Sequence, residues 1–247
     1  MAGRQVGSVQ DALQALAALL HYPDEDVRQH AHELADVLSV RPEFPREDRV
    51  ELERFVRRLQ TADLLHQQAG WIETFDRSKK VSMYLFEHVY GESRSRGPAM
   101  VELRMAYREK GLEMAGNDLP DYLPLFLEFC AQLPAAEAHA WLEDVSHILQ
   151  QVHVRLHQRG SRHALPFRLL LHLVQVEPWP AELMDSMAGE ARDDTRAAID
   201  DVWQEAPVTF EPGSALGACG NGNSIQQSDG LRAPDPKLRG GDTQWTS

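Results

Sequence analysis

Residues 141–156 decide the fold, and they read WLEDVSHILQQVHVRL. Large apolar side chains recur there every three or four residues, at Trp141, Val145, Ile148, Val152 and Leu156. This spacing puts them on one face of an α-helix, where they can pack against neighbouring helices. Most of the intervening positions are polar or charged. The stretch therefore predicts an amphipathic helix.

The same helical spacing recurs along the chain before this stretch. The residue sets that carry it are Val9, Leu13, Leu16 and Leu20, then Leu52, Phe55 and Leu59, then Met100, Leu103 and Tyr107. Asp24, which follows Pro23, has the side chain expected of an N-cap for the next helix. Alternation of the kind that strands show is confined to residues 207–211. The sequence predicts an all-α fold, a single-domain helical bundle.

The composition changes at residue 205. From there on Gly, Ser, Asn, Gln and Pro dominate, and large apolar side chains are scarce. Such a segment cannot bury enough apolar surface to offset the entropy lost on ordering. We expect a helical domain over residues 1–204 and a flexible, disordered C-terminal tail over residues 205–247. The tail holds five acidic and three basic residues, so most of the chain's negative charge belongs to the helical domain.

Charge limits the possible partners. The 38 acidic side chains exceed the 25 basic ones, and the formal net charge is −13 at pH 7. A chain of this charge repels phosphate backbones and anionic lipid, which argues against nucleic acid and bare membrane as partners. It favours a basic peptide, although acidity also serves solubility alone.

Cysteine usage and apolar runs indicate the compartment. Cys130 and Cys219 form no CxxC pair, which is typical of a reducing environment. No stretch approaches the ~20 apolar residues of a membrane span. Residues 12–20 are apolar, but they contain Gln14 and follow Asp11, so they predict an amphipathic helix rather than a signal peptide. We expect a cytoplasmic protein without direct membrane insertion.

Motifs of known enzyme chemistry are absent from the sequence. It has no GxxxxGK[ST] phosphate loop and no GxSxG elbow. His153 and His157 are four residues apart and could place two imidazoles on one metal ion. Their alternation with Arg155 and Arg159 is instead typical of a solvated, mixed helix face. We predict that the chain is not an enzyme, and keep a helical metal-binding enzyme using this pair as the alternative.

The most distinctive segment, residues 81–134, reads VSMYLFEHVYGESRSRGPAMVELRMAYREKGLEMAGNDLPDYLPLFLEFCAQLP. Proline fits best in the first turn of a helix, so Pro124 makes Asp121 the expected N-cap of the helix that follows. That helix has two apolar stripes, one with Leu123, Phe126, Leu127 and Cys130, the other with Tyr122, Leu125 and Phe129. A helix that is apolar on two sides is either fully buried or offers one face to a partner.

These blocks resemble the nitrate reductase delta subunit family, within a wider group of chaperones for molybdenum enzymes. The matching pieces are LFEHV at 85–89, GESR at 91–94, LPD at 119–121, LPL at 123–125 and ALAALLHYPD at 15–24. The resemblance implies an all-helical cytoplasmic chaperone that binds the N-terminal segment of the apo catalytic (alpha) subunit of respiratory nitrate reductase. It also implies that the chaperone holds this subunit until molybdopterin guanine dinucleotide and an iron–sulfur cluster are inserted, before membrane docking. No cofactor stays bound to the chaperone itself.

The second apolar stripe and the acidic helical domain suggest a groove for the client segment, and the contacts that we predict there are Tyr84, Glu87, His88, Glu92, Asp121, Tyr122, Leu125 and Phe129. Other roles stay open for several of them. Asp121 suits helix capping, the apolar residues suit core packing, and the glutamates suit a solvated surface. Tyr122 departs from the wider group, which often has histidine there, and tyrosine carries no charge near neutral pH. A related molybdenum enzyme as client and a permanent structural subunit remain alternatives.

Overall fold

Helices make up nearly all the regular structure of the computed structural model, which describes residues 7–91, 93–114, 116 and 118–202. Numbered along the chain they are α1 (Val9–Leu20), α2 (Glu25–Ser39), α3 (Arg46–Thr61), α4 (Leu64–Phe75), α5 (Leu85–Tyr90), α6 (Arg96–Glu109), α7 (Leu123–Gln132), α8 (Ala135–Gln158), α9 (Ala164–Leu173), α10 (Ala181–Met187) and α11 (Arg196–Val202). The predicted all-α fold is confirmed, and within these ranges strand pairing is limited to one bridge, between Tyr84 and Tyr122. The expected tail at 205–247 lies outside the described residues.

Helix α1 lies inside the bundle, packed mainly against α7 and also against α2 and α9. Its predicted stripe is confirmed, because Leu13, Leu16 and Leu20 are completely buried. Alanines between these leucines, such as Ala12 and Ala15, are buried as well and let neighbouring helices approach closely. Each leucine removed from water in this way stabilises the fold by roughly 1.5–3 kcal/mol. Helix α8 packs along α9, and α2 along α3.

Side-chain caps fix where the first helices begin. Ser8 accepts a hydrogen bond from the amide of Asp11 (3.1 Å), and the Asp11 carboxylate accepts one from the amide of Ser8 (2.9 Å). The predicted cap at Asp24 is confirmed, since its Oδ1 accepts from the amide of Val27 at 2.7 Å. Capping of this kind satisfies amides that the helix itself leaves unpaired.

The predicted N-cap of α7 is wrong by one residue. The helix begins at Leu123, and its N-cap is Tyr122 rather than Asp121. The amide of Leu123 donates to the carbonyl of Met83 (2.8 Å), and the amide of Leu85 donates to the carbonyl of Asp121 (2.9 Å). This backbone pairing with a distant segment takes the place of a local side-chain cap. It fastens the starts of α5 and α7 to each other.

A buried charge cluster joins α3 to α9. Arg168 lies 2.9 Å from Asp48 Oδ1 and also contacts Glu51, while His172 Nε2 lies 2.9 Å from Asp48 Oδ2. The guanidinium of Arg168 also stacks over the ring of Trp179, 5.7 Å from its centroid. Charges taken out of water are tolerated only when they are paired in this way.

Candidate functional site

Aromatic rings line a surface where the end of α1, the helix α4 and the starts of α5 and α7 meet. Tyr122 contacts His21 at 5.9 Å and Tyr84 at 5.5 Å between ring centroids, and Tyr22 contacts Trp71 at 5.5 Å. His21 is exposed, Tyr22, Trp71 and Tyr84 are half-buried, and Tyr122 is buried. We call these five residues the aromatic patch. Four of them present large, partly apolar side chains to solvent, and Tyr122 packs beneath them.

Hydrogen bonds to the backbone hold the patch in place. Trp71 Nε1 donates to the carbonyl of Leu20 at 3.0 Å, and Gln68 Nε2 donates to the carbonyl of Pro23 at 2.8 Å. These two bonds tie α4 to the end of α1. The bridge between Tyr84 and Tyr122 closes the opposite side. Rings held in this way lose little conformational entropy when a partner covers them.

The patch is surrounded by carboxylates. Burial raises the pKa of the Tyr84 hydroxyl, and Asp118, Asp121, Glu87 and Asp76 raise it further. Both tyrosine hydroxyls of the bridge therefore stay neutral at physiological pH. Asp76 and Asp118 are exposed at the rim of the patch. The local field thus favours a cationic partner over an anionic one.

The same holds for the second tyrosine. Burial raises the pKa of Tyr122, and Tyr84, Asp118 and Glu128 raise it further. Glu128 is exposed on α7, one helical turn beyond the half-buried Leu125. A neutral tyrosine is therefore what stands at the position where the wider group often has histidine.

Asp121 is completely buried behind the patch. Its Oδ2 accepts a hydrogen bond from the amide of Phe86 at 3.1 Å and lies 3.6 Å from Arg96 Nη2. Burial raises its pKa, and the bond from Phe86 and the charge of Arg96 offset that increase only in part. Asp121 therefore caps α5 from another segment instead of capping α7.

Glu87 and His88 also face their own protein. Glu87 accepts a hydrogen bond from Arg96 Nη1 at 3.2 Å. His88 Nε2 donates to the carbonyl of Ser82 at 2.9 Å, and burial lowers the pKa of its imidazole. Both residues stabilise the loop and helix beneath the aromatic patch. Glu92 lies outside the described residues.

Phe129 is a core residue in this structure. It is completely buried, with its ring 4.3 Å from that of Tyr107 and 5.3 Å from that of Trp141. The second apolar stripe of α7 is therefore not an exposed face, because Tyr122 and Phe129 are buried and Leu125 alone is half-exposed. Of the two explanations that the sequence left open for α7, the packing supports burial.

Sequence reasoning did not single out His21, Tyr22 or Trp71 as contacts. His21 and Tyr22 lie about 60 to 100 positions from Tyr84 and Tyr122, so spacing along the chain could not group them. The one available signal was the HYPD turn at 21–24, where aromatic side chains follow directly after a buried helix.

Asp121→Ala is expected to lower the free energy of unfolding by about 1–3 kcal/mol, because the Phe86 amide would lose its acceptor in a buried position. Asp121→Asn keeps an oxygen there and removes a buried charge, so it should cost less than about 1 kcal/mol. Urea unfolding at pH 7 measures both. Equal losses for the two variants would contradict the capping role and point to the charge itself.

The proposed metal pair is explained by packing. His153 is completely buried, its Nδ1 lies 3.0 Å from the carbonyl of Ala164, and burial lowers its pKa to about 4. Trp179 packs against both imidazoles, at 4.5 Å from His153 and 4.4 Å from His157. The prediction of a solvated face is therefore wrong at His153. Over the described ranges, no three His, Cys, Asp or Glu side chains come together as a metal site would need.

Two further sequence predictions concern the core and the membrane. Cys130 is completely buried, and burial raises the pKa of its thiol, so it packs as a small apolar side chain. Among the helices of the described part, none has the length and apolarity required to cross a bilayer.

Comparisons with known proteins agree with one another. The sequence model described as "Nitrate reductase delta subunit" matches residues 9–168. The nitrate reductase molybdenum cofactor assembly chaperone NarJ of Escherichia coli (strain K12) is 45% identical over 195 residues, which cover 79% of this chain and 83% of that protein. The probable assembly chaperone NarW of the same strain is 38% identical, over 80% and 83%.

More distant proteins were found as well. The probable chaperone NarJ of Bacillus subtilis (strain 168) is 32% identical over 64% of this chain and 84% of its own length. A crystal structure of a putative redox enzyme maturation protein from Archaeoglobus fulgidus aligns with a TM-score of 0.47 at 16% identity, over 68% of this chain and 95% of that one. Because the family model covers well over half of the sequence and the E. coli relatives match most of their own length, this chain belongs to the nitrate reductase delta subunit family.

Proposed function

We propose that this chain is a cytoplasmic maturation chaperone for a respiratory nitrate reductase. It binds the apo catalytic subunit through that subunit's N-terminal segment. It keeps the subunit competent for insertion of molybdopterin guanine dinucleotide and an iron–sulfur cluster, and releases it before membrane docking. The observation that carries the proposal is the 45% identity, over 83% of that protein, to E. coli NarJ, which is named a nitrate reductase molybdenum cofactor assembly chaperone. No catalytic residue and no resident cofactor are assigned.

We infer that the client segment contacts the aromatic patch. Tyrosine and tryptophan supply large contact areas at low entropic cost, and they are enriched where proteins bind each other. Tyr22, Trp71 and Tyr84 are half-buried, so a bound segment can still cover part of each ring. All five patch residues fall within the part of the chain that matches the family model.

Charge supports a basic client segment at this place. Asp76, Asp118 and Glu128 are exposed around the patch. Opposite charges at the rim of an interface mainly speed association and select the partner, while the apolar centre supplies most of the affinity. Glu87 and Asp121, which the sequence predicted as contacts, are bound to Arg96. They act here by shaping the surface from below.

Tyr84→Ala is expected to weaken binding of a peptide that copies the client's N-terminal segment by roughly 30-fold, or about 2 kcal/mol, because it removes a central ring of the patch. Tyr84→Phe keeps the ring and should stay within about twofold, since the hydroxyl is neutral at pH 7. Isothermal titration calorimetry with the intact chain measures both.

Leu65→Ala is the matched control, because Leu65 is a large apolar residue that is 74% exposed and lies outside the patch. It should leave the affinity unchanged. A Tyr84→Ala protein that folds normally and binds as tightly as the wild type would move the contact elsewhere. A scrambled peptide that binds equally well would remove sequence-specific recognition.

Two further experiments, a comparison of client peptides and a co-purification, distinguish the alternatives. Peptides from a nitrate reductase and from a related molybdenum enzyme of the same organism, compared directly, identify the client class. Co-purification with the mature, cofactor-loaded enzyme would contradict a chaperone and support a permanent structural subunit. Binding only to the apo-subunit supports the proposal.

A further inference from the structure

A cleft of about 520 Å³ lies away from the aromatic patch, where the end of α3 and the helix α4 face the turn between α8 and α9. Five arginines line it, namely Arg58, Arg77, Arg159, Arg162 and Arg192. The carboxylates in its wall are those of Glu73 and Asp194. This local excess of positive charge runs against the formal net charge of −13 for the whole chain. A cationic cleft on an anionic protein concentrates small anions locally.

Three of the five arginines already have acidic partners. Arg159 lies 2.8 Å from Asp193, and Arg192 lies 2.8 Å from Asp194. Arg77 pairs with Glu73 at 3.7 Å, and both side chains are more than half exposed. The pairs with Asp193 and Asp194 fix the side of the cleft formed by the segment between α10 and α11. The three pairs leave the two remaining arginines to be explained.

Arg58 and Arg162 form no ion pair with any residue that the structure describes. Arg162 is half-buried and Arg58 is exposed. Burial lowers the pKa of Arg162, and the positive charge of Arg58 lowers it further. The two like charges therefore oppose each other in the folded protein, and an anion between them would relieve this repulsion.

A buried, uncharged histidine lies in the same wall. His163 is 4% exposed, and its Nδ1 has no hydrogen-bond partner within the described part of the chain. Burial lowers its pKa to about 3, and Arg162 lowers it further, so the imidazole is neutral. Its ring packs against Phe55 and Phe75, and the Nδ1 atom is closed off from solvent, so this atom offers no contact to a ligand in the cleft.

The lining residues indicate the class of ligand. Guanidinium groups bind phosphate oxygens in pairs, and two free arginines match a group that carries two negative charges. The volume lies within the range of small-molecule sites and exceeds the size of a phosphate group. The rest of the lining includes the hydroxyl residues Thr74 and Ser161 and the imidazole of His66. These polar side chains suit a hydroxylated organic group attached to the phosphate.

We propose that this cleft binds a small phosphorylated molecule of the sugar phosphate type, with its phosphate group held between Arg58 and Arg162. The site is separate from the aromatic patch, so it does not depend on the client proposal. It gives the protein a second ligand in addition to a protein partner.

The test is isothermal titration calorimetry of the intact chain at low ionic strength in a phosphate-free buffer. The probes are glucose 6-phosphate, inorganic pyrophosphate and citrate. We expect saturable binding of the two phosphate compounds and much weaker binding of citrate, whose carboxylates carry a similar charge. Citrate that binds as tightly as the phosphates would overturn the assignment of the ligand class. If neither glucose 6-phosphate nor pyrophosphate binds saturably at millimolar concentration, the proposed site is wrong.

The variants are Arg58→Gln with Arg162→Gln, and the control is Arg54→Gln with Arg57→Gln, which removes the same charge from exposed positions of α3. The first pair should weaken phosphate binding by about tenfold or more, and the control by less than about twofold. Without ligand the first pair should also raise the midpoint of thermal unfolding, because a repulsion is removed.

Arg58→Gln alone is a second variant in case the double change disturbs the half-buried position. It should weaken binding while leaving the circular dichroism spectrum unchanged. Equal weakening by the cleft pair and by the control pair would reduce the effect to general charge and contradict a specific site.

Discussion

Phe129→Ala is expected to lower the free energy of unfolding by about 3–5 kcal/mol, which is the usual cost of removing a fully buried aromatic side chain. Phe129 has no exposed surface, and its ring packs between Tyr107 and Trp141. Tyr107 cannot collapse freely into the space, because its hydroxyl is fixed to the carbonyl of Pro120 at 2.7 Å. A cavity would therefore remain, and cavities add to the loss.

Urea unfolding followed by circular dichroism measures this loss, with Phe129→Leu as the control that keeps most of the volume and should cost less than about 1.5 kcal/mol. The same variants separate core packing from client contact. At a temperature where Phe129→Ala remains folded, its affinity for the client peptide should match that of the wild type. Lost binding together with unchanged stability would return Phe129 to the contact surface.

Acidification is expected to destabilise the protein well before its carboxylates titrate. Burial lowers the pKa of His153 to about 4, and burial followed by Arg162 lowers that of His163 to about 3, against an ordinary value of 6.5. Below pH 6.5 the unfolded chain takes up protons at both residues while the folded protein does not. Their contribution to stability is therefore full above pH 6.5 and is lost progressively as the pH falls toward 3.

Between pH 6.5 and pH 5 the two histidines together should lower the free energy of unfolding by about 3 kcal/mol. The raised pKa of Asp121 acts in the opposite direction, because protonation of its buried carboxylate at lower pH removes the cost of burying a charge. Urea midpoints across this range give the slope. His153→Gln should remove about 1.5 kcal/mol of this change, whereas His32→Gln, at an exposed position, should leave it unaltered. A flat profile in the wild type would contradict two neutral buried imidazoles.

Most of the fold could be predicted from the sequence, because the buried face of a helix shows as a regular spacing of apolar residues. The stripe through Leu13, Leu16 and Leu20 is completely buried as predicted, and Asp24 caps α2 as predicted. Each of these features depends on residues within a few positions of one another. Such features are what spacing along a chain can report.

The candidate site was harder to predict from the sequence, because its contacts join residues that are far apart in the chain. Asp121 looked like a local cap, but its acceptor role serves the amide of Phe86, 35 residues earlier. His153 looked solvated beside Arg155, but Trp179 folds back to cover it. Patterns within one helix cannot show which other segment will lie against it, and this is why the aromatic patch emerged only from the structure.

The pairing of α1 with α7 affects how this protein is made. The first helix finds its main neighbour in a helix that begins more than 100 residues later in the chain. At translation rates of roughly 5–20 residues per second, the apolar face of Leu13, Leu16 and Leu20 stays without that neighbour for several seconds after it leaves the ribosome. Closing so long a loop is slow compared with forming single helices. A protein that we propose to shelter another chain thus has its own period of exposure during synthesis, and the apolar face of its first helix is at risk of aggregation until α7 has been made.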